Sequence, residues 1–137
     1  DLNIVAKVLH DSLNENGRLV LTFVNKWYMM EVVVNLLKLK PGNAFRRFKK
    51  IWGGYSNVKQ LDSKCLSPRE VRGVFSKAFD IERKRGYSIL YPAWYREQWL
   101  RKFGNGFSEF FWRADQFINQ TFLWKFGEYF LYTFKKR

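Results

Sequence analysis

Leu13-Asn14-Glu15-Asn16-Gly17-Arg18-Leu19-Val20-Leu21-Thr22-Phe23-Val24-Asn25 decides the reading of this chain. Asn14 to Gly17 has turn composition, and Gly17 is the residue expected to take a positive φ. Leu19 to Val24 is then almost wholly apolar and β-favouring. An unbroken apolar run predicts a strand covered on both faces, as in a parallel sheet. Upstream, Leu2, Val5, Ala6, Leu9 and Leu13 recur at helical spacing. Helix, turn and strand in that order make the second half of a βαβ unit. The helical pattern opens at Asp1 with no cap ahead of it, which predicts a fragment of a longer domain.

Downstream, Lys26 to Leu39 is a second amphipathic stretch, closed by Pro41-Gly42. Ala44 to Ile51 is short, basic and aromatic, and Gly53 to Cys65 reads as a loop. Ser67-Pro68-Arg69-Glu70 is the clearest local signal. Ser67 can cap a helix, Pro68 suits its first position, and Glu70 completes a capping box. Val71, Val74, Phe75 and Ala78 then line one helical face. Ile81 to Ile89 is expected to be a strand, and Glu128 to Lys135 another.

Between them, Ser88 to Gly127 holds 13 of the chain's 27 aromatic residues. That concentration marks the segment as a helical insert, expected to be a lid on the sheet, an interfacial anchor or a dimer surface. One helix is expected from Pro92, with Tyr95, Trp99 and Phe103 along it. A second carries Phe107, Phe110, Phe111, Ala114, Phe117 and Ile118, a spacing that predicts core packing. Gly104-Asn105-Gly106 is expected to turn between the two. Trp94, Trp112 and Trp124 lie off the stripes, so these helices are apolar around much of their circumference.

Composition narrows the function. Among 137 residues, 47% are hydrophobic, enough for a core. The formal charge is +13, which favours polyanionic partners. From Val32 to Leu61 there are seven Lys/Arg and no Asp/Glu, the pattern of a solvated basic face. Cys65 and His10 are each the only residue of their type. That excludes a disulfide framework, a Cys/His zinc site and a histidine-based triad. No signal peptide is expected, and no apolar run approaches the ~18 residues of a spanning helix. A reducing, cytoplasmic setting is expected.

Three blocks, in this order, resemble the C-terminal half of a class I S-adenosylmethionine-dependent methyltransferase. They are Leu13 to Asn25, Leu66-Ser67-Pro68-Arg69-Glu70-Val71 to Ala78-Phe79-Asp80-Ile81-Glu82, and Gly127-Glu128-Tyr129-Phe130-Leu131-Tyr132-Thr133-Phe134. The resemblance implies an α/β fold, a partial Rossmann-like sheet of strands five to seven with flanking helices. Residues 1–137 would form the C-terminal part of one domain, with 88–127 inserted between the last two strands. Strand 18–24 would be central, and the closing strand would pair antiparallel with its neighbours. Where the family has a Gly before the residue matching Phe79, this chain has Ala78, which alters the helix end.

The family's cofactor elements are a Gly-rich turn after strand one and an acidic residue ending strand two. Neither is placed here, since no apolar strand precedes Gly53-Gly54. The resemblance therefore implies S-adenosylmethionine as cofactor of a parent enzyme, a missing N-terminal half, and no cofactor binding or turnover by this chain alone. Catalytic, cofactor-binding and metal-binding residues are expected to be absent from it. Methyl transfer needs chiefly positioning and exclusion of water, so a missing histidine is no objection.

Open α/β sheets bind ligands beyond the carboxyl ends of their strands. The candidate substrate-binding residues are therefore Asn25 as polar anchor, Lys26, Trp27 and Tyr28 beside it, and Tyr87 and Tyr91 as lid or pocket residues. The expected acceptor is small or lipid-like and apolar. Further expected partners are an anionic membrane surface, reached through Arg96, Arg101, Lys102, Arg113 and Lys125, and the missing half or a second copy at an open sheet edge. The alternative is a basic-aromatic module without catalysis, binding membrane or nucleic acid. For nucleic acid it would use Lys38 to Lys50, with Phe45, Phe48 and Trp52 as stacking platforms, although no RNP-like or helix-turn-helix pattern accompanies them.

Overall fold

A computed structural model describes residues 1–49, 64–91 and 102–137. The chain is mixed α/β. Helix α1 (Leu2–Ser12) leads into strand β1 (Arg18–Val24). Helices α2 (Met29–Leu37) and α3 (Pro41–Ala44) and a 3-10 turn at Arg46–Phe48 follow. Helix α4 (Pro68–Phe75) then precedes strand β2 (Phe79–Tyr87). Helix α5 (Asn105–Ile118) and a 3-10 turn at Phe122–Phe126 come before strand β3 (Tyr129–Lys136).

The three strands form one sheet in the order β1-β3-β2, and β3 is antiparallel to both neighbours. Strand β1 is therefore an edge strand among the described residues, and β3 occupies the centre expected for 18–24. The register accounts for this. Every residue from Arg18 to Val24 has a partner on β3, running from Lys135 to Tyr129. On its far side β1 makes one isolated parallel bridge, Asn25 to Leu66. Because β1 and β2 both oppose β3, they run the same way, and their carboxyl ends share one rim.

The core lies on one face of the sheet. Phe130, Tyr132 and Phe134 of β3 pack with Phe79, with Val71 and Phe75 of α4, and with Ala6 of α1. Leu19, Leu21 and Phe23 of β1 extend this face. Phe75 stacks on Phe134 at 4.8 Å, and Phe23 stacks on Phe130 at 5.3 Å. Such aromatic pairs add specificity beyond the area they bury. The alternate residues of β1 point away from this core, and Val20 is exposed. So β1 is covered on one face only by the described residues, against the expectation of two. Helices α1 and α4 share a face, and no described helix supplies a second apolar layer.

Local sequence explains most boundaries. Ser67 and Glu70 form the expected capping box, Ser67 Oγ accepting from Glu70 N at 3.3 Å and Glu70 Oε2 accepting from Ser67 N at 2.7 Å. Asp1 is itself an N-cap, accepting from Asn3 N at 2.8 Å, where an uncapped start was expected. In the turn before β1, Asn16 rather than Gly17 takes the left-handed conformation, with φ 61°. Asparagine tolerates that region better than most residues. Gly17 is needed for closeness instead, because a Cβ there would lie 2.7 Å from the Asn14 carbonyl oxygen.

Several predicted bounds move. Residues 26 and 27 form a turn, Tyr28 is the N-cap, and α2 starts only at Met29. Strand β2 starts and ends two residues earlier than 81–89, because Phe79 and Asp80 pair with Lys136 and Lys135 and the chain turns at Ser88, φ 55°. Asn105 begins α5 rather than a turn, with Gly104 at φ +97° before it. Of the expected loop from Gly53 to Cys65 and the expected helix from Pro92 along Tyr95, Trp99 and Phe103, residues 53–63 and 92–101, with Trp94, lie outside the described residues.

Helix α5 also departs from its predicted role. Of its residues only Asp115 is fully buried, while Phe107, Phe110, Trp112 and Phe117 are exposed. The aromatic stripe read as core is largely on the surface. A polar residue anchors the helix instead. Asp115 Oδ1 accepts from three consecutive backbone amides, Ile89 at 2.7 Å, Leu90 at 2.6 Å and Tyr91 at 3.1 Å. Successive amides converging in this way form an anion-binding nest, and here a side chain of the same chain fills it.

Candidate functional site

The rim at the carboxyl ends of β1 and β2 is built around Asn25, which is completely buried. Its amide nitrogen donates to the carbonyls of Lys125 at 2.7 Å and Gly127 at 2.8 Å. Its amide oxygen accepts from Trp27 N at 3.0 Å. Its backbone N–H donates to the Glu128 carbonyl at 2.8 Å. Asn25 thus ties the end of β1 to the entry of β3. The geometry gives this residue an internal positioning role, since both amide hydrogens are engaged within the protein.

A buried ionic cluster sits directly against Asn25. Arg47 is 2% exposed, Glu31 is 1% exposed and Glu128 is fully enclosed. Arg47 donates Nε to Glu31 Oε2 at 2.9 Å, Nη2 to Glu128 Oε1 at 2.9 Å and Nη1 to the Asn25 carbonyl at 3.2 Å. Its guanidinium also lies over the Tyr28 ring, 4.9 Å from the centroid. Arg46 Nε donates to the other Glu31 oxygen. The planar guanidinium suits this task because it offers several donors in fixed directions. Burial alone would raise the Glu31 pKa. The hydrogen bond from Arg46 and the charge of Arg47 overcome that, and the carboxyl is held below its usual range.

The remaining candidates surround this centre. Lys26 Nζ binds Glu70 Oε1 at 2.7 Å, joining the rim to the α4 capping box. Burial pushes the Glu70 carboxyl up, but hydrogen bonds from Lys26 and Ser67 outweigh it and hold the group at about 2. Trp27 is half exposed, with its ring edge-on to Phe48 at 4.7 Å. Tyr28 is buried under Arg47 and so is not a free wall of a cleft. Tyr87 pairs with Tyr129, as Val24 does from the other side, which brings the two strand ends to the same point on β3. Tyr91 is partly buried, and its hydroxyl lies 3.2 Å from Ser108 Oγ on α5.

The structure therefore gathers Asn25, Lys26, Trp27 and Tyr28 at one strand end, with Tyr87 across the rim and Tyr91 on the connection to α5. Sequence reasoning missed Glu31, Arg47 and Glu128. Glu31 could have been found as the single charge inside the apolar run Met29 to Val34. Arg47 could not, because it lies in a basic run read as solvated. That reading fails at Arg47, whose charge is enclosed and matched by two carboxylates. The stacking surface assumed for Phe48 is reduced as well, since its ring meets Trp27; Trp52 lies outside the described residues.

Among the described residues, the glycines and carboxylates at the rim are packed or paired within the protein. Among the described residues, Gly86 and Gly127 are packed against the backbones of Trp124 and Tyr87, with no room for even a Cβ. Gly42, Gly73, Gly104 and Gly106 have open space but follow no strand. The carboxylates nearest the rim are occupied by Arg47. Among the described residues no group of three or more His, Cys, Asp or Glu could hold a metal ion. Cys65 is buried, and burial pushes its thiol up to about 11, away from nucleophilic use. Among the described residues no helix is long and apolar enough to cross a membrane.

No protein-family model matches the chain, and no curated protein is significantly similar to it.

Proposed function

We propose that this chain is the acceptor-side half of an S-adenosylmethionine-dependent methyltransferase acting on a small or lipid-like apolar acceptor. The observation that carries the reading is the position of β3. It lies antiparallel between two strands that run the same way, and their carboxyl ends meet at one rim. The resemblance of the three sequence blocks implies a closing strand of this kind. The crossover from β1 to β2 through the capped helix α4 fits the same scheme.

In this reading the cofactor is held by a part of the protein that these residues do not supply. The chain's own residues shape the acceptor side. Trp27 offers an apolar wall at the rim. Tyr87 and Tyr91 close the opposite side, and Asp115 fixes the backbone that carries Tyr91. Asn25 and the Arg47 cluster hold the strand ends in register, so that the acceptor meets a rigid surface. Positioning of this kind supplies much of the rate enhancement in group transfer.

The test uses the full-length product of the gene that encodes this chain. It is expected to bind S-adenosylmethionine by calorimetry and to transfer labelled methyl to an apolar acceptor. Trp27→Ala should raise the acceptor KM and leave cofactor affinity unchanged. Failure of the full-length product to bind the cofactor would overturn the reading.

A further inference from the structure

Helix α5 presents an aromatic ridge to solvent. Phe110 is 66% exposed and Phe117 73%, and they stand seven residues apart on one side of the helix. Phe107, 42% exposed, prolongs this side toward the helix start. Phe122, 72% exposed, adds to it from the 3-10 turn that packs against α5. Exposing large apolar side chains forgoes their burial energy, and a contiguous patch of them marks a surface that something covers.

The charges beside the ridge select the occupant. Lys102, Arg113 and Lys125 are exposed around it, against the single exposed carboxylate of Glu109, which pairs with Arg113 at 2.6 Å. The other acid of α5, Asp115, is buried and turned inward onto three backbone amides. Lys125 also lies over the Phe122 and Phe126 rings, at 5.8 and 5.1 Å. An apolar stripe flanked by cations matches a lipid interface, where rings enter the acyl boundary and cations meet anionic headgroups. A second copy is a poorer fit, because a two-fold contact would set identical cationic patches against each other.

We infer that the α5 ridge, Phe107, Phe110, Phe117 and Phe122 with Lys102 and Lys125, docks this protein peripherally on an anionic membrane surface. The helix lies in the interface and does not span it. Among the described residues, the surface reaches Asn25 itself through the 3-10 turn, whose Lys125 carbonyl accepts from Asn25. Docking therefore does not depend on methyl transfer.

The experiment is co-sedimentation of the chain with vesicles of phosphatidylglycerol and phosphatidylcholine, and with phosphatidylcholine alone. Binding is expected to the mixed vesicles, and to weaken as salt rises. The double variant Phe110→Ser/Phe117→Ser should lose affinity by about tenfold or more for each ring removed. Its circular dichroism should be unchanged, since both side chains are exposed. Lys102→Glu/Lys125→Glu should lose the preference for phosphatidylglycerol. No binding to either vesicle, or binding indifferent to the phenylalanine variant, would overturn the inference. So would light scattering in which the phenylalanine variant turns a dimer into a monomer, because a second copy would then be what covers the ridge.

Discussion

Arg47 and Glu128 meet at 2.9 Å across a separation of 81 residues, with neither side chain more than 2% exposed. The pair locks the segment after α3 to the entry of the central strand. Buried charges of this kind are costly to assemble and more costly to leave half-made.

Arg47→Met should therefore lower the unfolding free energy by about 3–5 kcal/mol, because it strands two carboxylates in the interior. Adding Glu31→Leu and Glu128→Leu to it should recover much of that loss. Urea denaturation of the single and triple variants measures both effects. A single-variant loss below about 1 kcal/mol would mean that water reaches the cluster freely.

Glu70 sets an acid limit. Its carboxyl is held at about 2 against an ordinary 4.5. A depressed folded-state pKa stabilises the fold above the unfolded value, and this contribution is lost as pH falls from there through about 2. The Lys26–Glu70 pair is part-exposed, so its worth is about 1 kcal/mol or less. Glu70→Gln should melt lower than the wild type near neutrality, and the gap should close on acidification through this window. Melting curves with a constant gap down to the acid limit would contradict the assignment.

Asp115→Ala should release the amides of Ile89, Leu90 and Tyr91 together. Leaving buried donors unsatisfied costs about 1–3 kcal/mol each, offset where water can enter. Hydrogen exchange at these three amides should quicken sharply, while the amides of β1 and β3 keep most of their protection. Unchanged exchange at residues 89–91 would show that Asp115 is not what holds them.

Cys65 should resist thiol reagents in the native protein and react fully in denaturant, because burial pushes its thiol up to about 11. Rapid native labelling near neutral pH would show that the segment around Leu66 opens readily.

Self-association through β1 is the last expectation. Among the described residues its outer edge carries a single bridge, to Leu66, and Val20 is exposed on the open face. Unpaired strand edges invite pairing with another chain. Light scattering should show association rising with concentration, and Val20→Lys should reduce it. A monomer at high concentration would contradict it.

The elements that were legible in the sequence carry short-range signals. The capping box at Ser67 and Glu70, the apolar run of β1 and the β-favouring aromatic run of β3 each depend on residues a few positions apart. What was not legible depends on residues that meet only after folding. Nothing near Arg47 distinguishes it from Arg46 or Lys49, yet Glu31 and Glu128 enclose it. Nothing near Asp115 announces that three amides some 25 residues earlier will point at it. The α5 stripe misled for a related reason, since helical spacing shows that side chains share a face but not which way that face looks. Among the candidate site residues, Trp27 and Tyr87 stand at the rim. Asn25 and Tyr28 reached the same place but are engaged internally.

The strand order β1-β3-β2 has a consequence for how the chain is made. Strand β3 is synthesised after both strands that flank it, so β1 and β2 leave the ribosome with no hydrogen-bonding partner between them. The helices α1 and α4 can form from local contacts, but the apolar faces they cover wait for Phe130, Tyr132 and Phe134. Closing such long-range contacts is slow relative to helix formation. During that interval the nascent chain exposes two β-favouring segments. The basic side chains of Arg83, Lys84 and Arg85 on one of them then act as solubilising guards until the middle strand arrives.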